Sequence, residues 1–258
     1  MKSSATIAAT ATFASLLPAT LPAQENQGPH VLLVLTNHSQ MGEKATGLYL
    51  SEAAEPFYAL NEAGFRVSLI SPDGGRVPID PSSFNLDTPE NLMFWKFFGN
   101  ENENSPVIPG TFPAAGVKAE TFAGIFFAGG HGTMWDFADS KPLQKLTAAL
   151  YEAEKPVAAV CHGPAALVKV TLSDGTPLVK GKEVAAFTNS EEKAAGATDL
   201  VPFSLQDSLE KAGAKVKTAP DFTENAVRDG HLITGQNPAS AAKTARLFLE
   251  ALGADSKK

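Results

Sequence analysis

The sequence predicts an α/β fold in which a mostly parallel sheet is covered by helices on both faces. Three observations point there. The strand-like runs are short and continuously apolar, amphipathic stretches alternate with them, and Gly/Pro clusters mark the junctions. Val31-Leu-Leu-Val-Leu35 reads as a strand buried on both faces. Thr46 to Ala63 follows as a helix, with Leu50, Ala54, Phe57 and Leu60 near helical spacing and Gly64 at its stop. Phe65 to Ile70 is the next strand, ended by Ser71-Pro-Asp-Gly-Gly75. Gly124-Ile-Phe-Phe-Ala128 runs as a strand into Gly129-Gly-His-Gly132. Lys141 to Glu154 reads as helix, Pro156-Val-Ala-Ala-Val160 as strand and Gly163 onward as helix. Glu183 to Phe187 and Lys215 to Thr218 are further strands. Asp229-Gly230 joins Ala226–Arg228 to His231–Thr234 as a hairpin, and Ala239 to Leu252 closes the chain as a helix.

The chain has 258 residues, 43% hydrophobic and 19% charged. That composition fills a core and excludes a disordered protein. The formal charge of −7, without any Lys/Arg cluster, argues against nucleic acid or an anionic membrane as partner. One cysteine, Cys161, excludes an intramolecular disulfide and a multi-cysteine zinc site. His30, His38 and His231 show no paired ligand spacing, so neither a metal nor another cofactor is expected.

Met1 to Ala23 reads as a secretory signal: Lys2 at the start, a weakly apolar middle and Leu21-Pro-Ala23 before Gln24. Export to a periplasm or medium is therefore expected, the alternative being a cytoplasmic protein with an N-terminal extension. Residues 24–258 read as one domain. Proline-rich Val77 to Gly116, with Phe94-Trp-Lys-Phe-Phe98, reads as an insertion or cap over the sheet.

Cys161 directly follows an apolar strand and precedes His162-Gly163-Pro164, where a helix is expected to begin. A strand-to-helix turn at the carboxyl end of a parallel strand pushes its residue into the ligand crevice of such folds. Helix N-terminal N–H groups there favour an anion and lower a thiol's pKa, and the thiolate is the nucleophile.

Ala159-Val-Cys-His-Gly-Pro164 resembles the nucleophile turn of the ThiJ/PfpI (DJ-1/PfpI) superfamily. Three more stretches are similar to its glyoxalase III and heat-shock chaperone branch: Ala128-Gly-Gly-His-Gly-Thr-Met-Trp-Asp136, Ser51-Glu-Ala-Ala-Glu-Pro-Phe57 and Thr234-Gly-Gln-Asn-Pro-Ala-Ser240. The resemblance implies a flavodoxin-like three-layer sandwich, related to class I glutamine amidotransferases, and a homodimer.

It also implies roles. Glu52, rather than Glu55 one turn on, matches the glutamate that touches the cysteine; a shielded carboxyl there shares a proton with thiol or substrate. His162 matches the base. Glu192 matches the carboxylate that orients it, with adjacent Glu191 as the alternative. Gly129 and Gly130, lacking Cβ, let backbone N–H groups approach a ligand and join the His162 N–H as an oxyanion hole. His131 lines the pocket or caps the turn, and Trp135 restricts it. The activity implied is glutathione-independent conversion of methylglyoxal, or a related small 2-oxoaldehyde, to a 2-hydroxy acid. A cysteine peptidase or amide hydrolase, and a holdase chaperone or redox sensor, are the alternatives.

Overall fold

The computed structural model describes residues 28–100 and 106–254. The expected signal, residues 1–23, lies outside them, as do residues 101–105 of the expected insertion. Seven strands build the central sheet: β1 (His30–Val34), β2 (Arg66–Ser71), β3 (Phe112–Pro113), β4 (Gly124–Phe127), β5 (Val157–Val160), β6 (Ala226–Asp229) and β7 (Leu232–Gly235). Their order across the sheet is β6-β7-β5-β4-β1-β2-β3. Every pairing is parallel except the β6–β7 hairpin at one edge.

The apolar runs form strands because both faces are covered. Phe126 and Phe127 point to opposite sides of β4, and both are fully buried. Phe126 meets Phe248 edge-on, with ring centroids 5.6 Å apart, whereas Phe127 meets Phe137 at 5.7 Å. Phe248 lies on α7 (Ala241–Ala251) and Phe137 closes the short α3 (Thr133–Asp136), so helical segments sit on each face. Helix α1 (Leu50–Glu62) packs against α7 and against α2 (Pro89–Phe98), while α4 (Lys141–Glu152) lies over β4 and β5.

Several elements differ from expectation. Helix α1 begins at Leu50, not Thr46, because Gly47 to Tyr49 run extended beside residues 78–80: Leu48 N–H donates to Pro78 O and Asp80 N–H to Leu48 O. The helix expected after Cys161 is only a five-residue 3-10 turn, Gly163–Leu167. Glu183–Val184 and Lys215–Val216 pair as a separate ribbon outside the main sheet. Two short helices, α5 (Asn189–Ala194) and α6 (Leu205–Lys211), were not anticipated.

The described residues of segment 77–116 hold more regular structure than its prolines suggest. Pro89 opens α2, where it has no N–H to leave unpaired, and the Thr88 hydroxyl accepts the Asn91 N–H at 3.2 Å. Phe94, Phe97 and Phe98 surround Phe57 of α1 with centroid distances of 5.6, 5.4 and 5.0 Å. The segment then returns to the sheet edge, where Phe112 pairs with Ile70.

Candidate active site

The chain leaves β1 to one side for β2 and reaches β4 on the other, so a crevice opens beyond the carboxyl ends of β1 and β4. The turns after β4 and β5 and the first turn of α1 converge there. Cys161 follows β5 with φ +60, a left-handed conformation that costs a non-glycine residue about 1–2 kcal/mol. It is fixed by the sheet: its N–H donates to Gly235 O and its carbonyl accepts the Phe187 N–H, both at 2.9 Å. The side chain is 3% exposed.

His162 lies beside it, with Nδ1 3.3 Å from Sγ. Its other nitrogen, Nε2, is 2.9 Å from Glu192 Oε2. Burial opposes the charge of Glu192, but hydrogen bonds from two imidazoles hold it down to about 2, so it is an ionised, acceptor-only group. Nε2 of His162 therefore carries the proton, and Nδ1 turns a lone pair toward the sulfur. Burial, and the neighbouring His131, bring His162 down to about 4, which leaves the ring neutral at neutral pH.

Glu52 is fully buried in the first turn of α1. Pro56, four residues on, lacks the N–H that would bond the Glu52 carbonyl, which loosens the helix at this residue. Glu52 Oε2 accepts the Gly129 N–H at 2.9 Å. Among the described residues Oε1 has no hydrogen-bond partner, and the Cys161 thiol is a further polar neighbour of the carboxyl. Burial pushes Glu52 well above the usual carboxylate range and so favours its protonated form.

The thiol differs from expectation. Burial first, and then the adjacent Glu52, push it up rather than down, and the 3-10 turn after it is too short for a helix dipole to reverse this. The backbone N–H groups of Gly130 and His162 point at the sulfur and favour its anion. Burial therefore favours the neutral thiol over a standing thiolate.

The structure separates the paired candidates. Glu192 meets His162, whereas Glu191 accepts from Thr188 N–H and Oγ1, Phe222 N–H and Asn237 Nδ2 at 2.8–3.0 Å. Glu55 accepts from the Ala242 backbone at the start of α7 and is pushed up to about 7 by burial and then by Glu90. Of the two glycines, Gly129 commits its N–H to Glu52, which leaves Gly130, at φ 96, and His162 as the donors facing sulfur. His131 Nε2 is 2.8 Å from Glu192 Oε1, and its ring lies 4.2 Å from that of His162. Trp135 stacks on His38 with centroids 4.6 Å apart and interplanar angle 6°.

Sequence reading passed over three neighbours. Phe187 lies 4.3 Å from the His162 ring. The Tyr49 phenol is raised, first by burial. Asp136 accepts from Thr36 Oγ1 and Asn37 N–H, tying α3 to the loop after β1. Among the described residues, His131, His162 and Glu192 are also the group with metal-ligand chemistry, their ligand atoms lying within 4.8 Å of one another. Both Nε2 atoms are here engaged by the carboxylate, and that contact joins histidines distant in sequence.

A model of the DJ-1/PfpI family matches residues 44–251. The chain belongs to the DJ-1/PfpI family. Relatives within it include the glutathione-independent glyoxalase HSP31 of Saccharomyces cerevisiae, 31% identical, covering 86% of this chain and 97% of that protein. Glyoxalase 3 of Candida albicans is 32% identical, covering 83% and 94%. The crystal structure of Candida albicans glyoxalase III superposes with a TM-score of 0.76 at 30% identity, over 86% of this chain and 97% of that one. Francisella tularensis Rapid Encystment Protein 24 kDa gives 0.80 at 37% identity, over 87% and 99%. The α/β sandwich with its mostly parallel seven-stranded sheet is the flavodoxin-like fold of this family. These comparisons correct the expectation of export. The curated relatives matched over most of their length are glyoxalases of Saccharomyces cerevisiae, Candida albicans and Schizosaccharomyces pombe, none named as an exported protein, and the Ala/Thr-rich middle of residues 1–23 is only weakly apolar.

Proposed function

We propose that this protein is a glutathione-independent glyoxalase that converts methylglyoxal, or a related small 2-oxoaldehyde, to the 2-hydroxy acid. The observation that carries the reading is the placement of one sulfur between the Nδ1 lone pair of His162 and the protonated carboxyl of Glu52, with two backbone N–H groups aimed at it.

The steps follow from that placement. Sulfur adds to the aldehyde carbon as its proton passes to His162 Nδ1, and Glu52 protonates the new oxyanion, which the Gly130 and His162 N–H groups stabilise. The Glu52 carboxylate then takes the hydrogen of that carbon while His162 protonates the neighbouring carbonyl oxygen, giving an enediol. Glu52 returns its proton to the second carbon and His162 takes the proton of the first hydroxyl, leaving a 2-hydroxyacyl thioester. Water attacks, giving one proton to Glu52. The imidazolium protonates the departing sulfur, and both groups regain their starting states. Each proton stays within the set, so no thiol cofactor enters.

Lactate formation from methylglyoxal in the absence of any added thiol, followed by NMR, tests the reading. Lactate from the wild type and none from Cys161→Ser is expected. Absence of lactate alongside turnover of a peptide or amide substrate overturns it in favour of a cysteine hydrolase. A homodimer belongs to the same reading, with exposed Phe97 and Phe112 offering apolar surface for it, and the solution mass by light scattering tests it.

A further inference from the structure

His131 was expected to line the substrate pocket or to cap its turn, but its strongest polar contact is with the general-base assembly. Glu192 sits between two imidazoles, Oε1 at 2.8 Å from His131 Nε2 and Oε2 at 2.9 Å from His162 Nε2. A carboxylate held at one oxygen still rotates about its terminal bond and exchanges its oxygens. One held at both has a fixed plane, and the lone pair offered to His162 has a fixed direction.

His131 is built to hold rather than to swing. It lies between Gly130 and Gly132, its carbonyl accepts the Met134 N–H at 3.0 Å at the start of α3, and the Thr133 hydroxyl next to it donates to the carbonyls of both Gly130 and His162. Its ring packs against that of His162 and meets the edge of Phe187 with centroids 5.9 Å apart. With its side chain 17% exposed against 9% for Glu192 and 1% for His162, His131 stands on the solvent side of the pair.

We infer that His131 is a positioning residue: by tethering Glu192 Oε1 it fixes the carboxylate that keeps the proton of His162 on Nε2, and so keeps the Nδ1 lone pair facing the Cys161 sulfur. The inference rests on the glyoxalase reading for its kinetic consequence but not for its structural one, since the tautomer of His162 is measurable in the resting protein.

The experiment compares His131→Gln, which retains an N–H donor for Glu192, with His131→Ala, which does not. The readouts are the 15N signals of His162 and the separate values of kcat and KM with methylglyoxal. In His131→Gln the Nε2–H tautomer persists and kcat stays within about 3-fold of wild type. In His131→Ala the tautomers mix, kcat falls about 10–100-fold and KM changes little. A His131→Ala protein with unchanged His162 signals overturns the inference, as does one with raised KM at wild-type kcat, the mark of a substrate contact. Equal damage from both substitutions also overturns it. If no variant, wild type included, makes lactate, the 15N signals alone still decide the tether, while the glyoxalase reading fails separately.

Discussion

The Gly129 N–H donates to Glu52 Oε2 at 2.9 Å, joining the turn after β4 to the first turn of α1 across 77 residues of sequence. The bond fixes one oxygen of a carboxyl whose protonated form burial favours, and the Cys161 thiol is a further polar neighbour of that carboxyl. In the proposed reaction this carboxyl holds its proton beside the sulfur that takes part.

Glu52→Gln keeps an acceptor for the Gly129 N–H but removes the transferable proton. The expected result is a folded protein whose kcat falls about 10²–10⁴-fold. Its stability carries a second signature. Because the folded-state pKa of Glu52 is raised, its contribution to stability is complete below the unfolded value near 4.3 and is lost as pH rises through the folded value. The variant lacks that loss, so denaturant midpoints measured from pH 4 upward fall less steeply than in the wild type.

Substitution of the adjacent acids separates chemistry from architecture. Glu192→Gln disturbs the partner of His162, and kcat is expected to fall about 10²–10⁴-fold with little change in melting temperature. Glu191→Ala orphans the Thr188 and Phe222 N–H groups and removes one of the two acceptors of the Asn237 amide. At about 1–3 kcal/mol for a buried orphan, Tm should drop by at least about 5 °C. Thermal melts and steady-state kinetics on both proteins check the division, and a reversed pattern refutes the assignment of roles.

That division was legible in the sequence, in retrospect. Thr188-Asn-Ser-Glu191 carries the spacing of a capping box, and the structure shows both of its reciprocal bonds. A glutamate committed to its own helix start is unavailable to a histidine, which leaves Glu192. The central strands were legible because burial on both faces writes itself as an unbroken apolar run, and β4 and β5 fall within one residue of their expected ends. Helices α5 and α6 were not, being six and seven residues long, too short to show helical periodicity. The cluster of His131, His162 and Glu192 was also out of reach, because His131 lies 61 residues from its partner and only the fold brings them together.

Asp136 gives a pH test remote from the sulfur. Burial pushes it up to about 6 although the Asn37 N–H and Thr36 hydroxyl bond one oxygen, and its Oδ1 has no partner. The favourable protonation is fully present below the unfolded value near 3.9 and disappears as pH rises through 6, a difference of about 3 kcal/mol across that window. Asp136→Asn keeps the acceptor without the titration. Urea titrations at pH 4 and pH 7 should show a smaller difference for the variant, and an undiminished one would sink the account.

Gly129→Ala is expected to be inactive and destabilised. A Cβ there would lie 2.5 Å from Glu52 Oε2, 2.6 Å from Val160 O and 2.9 Å from His162 N, all closer than atoms tolerate. Relief requires moving the Glu52 carboxyl or the backbone beside Cys161. Lactate formation below about 1% of wild type, with a lowered Tm, is the expected outcome.

The main chain beneath the proposed nucleophile is firmly held. Cys161 is tied to β7 by its N–H and to Phe187 by its carbonyl, with a backbone conformation that aims the side chain before any rotamer is chosen. Such a nucleophile cannot reach toward a carbonyl; the carbonyl must be delivered to it. Breadth or narrowness of diet, in this chain and in any other with the same elbow, is therefore written into the walls that admit the aldehyde, and a search for altered preference should mutate the doorway and leave the sulfur's mount untouched.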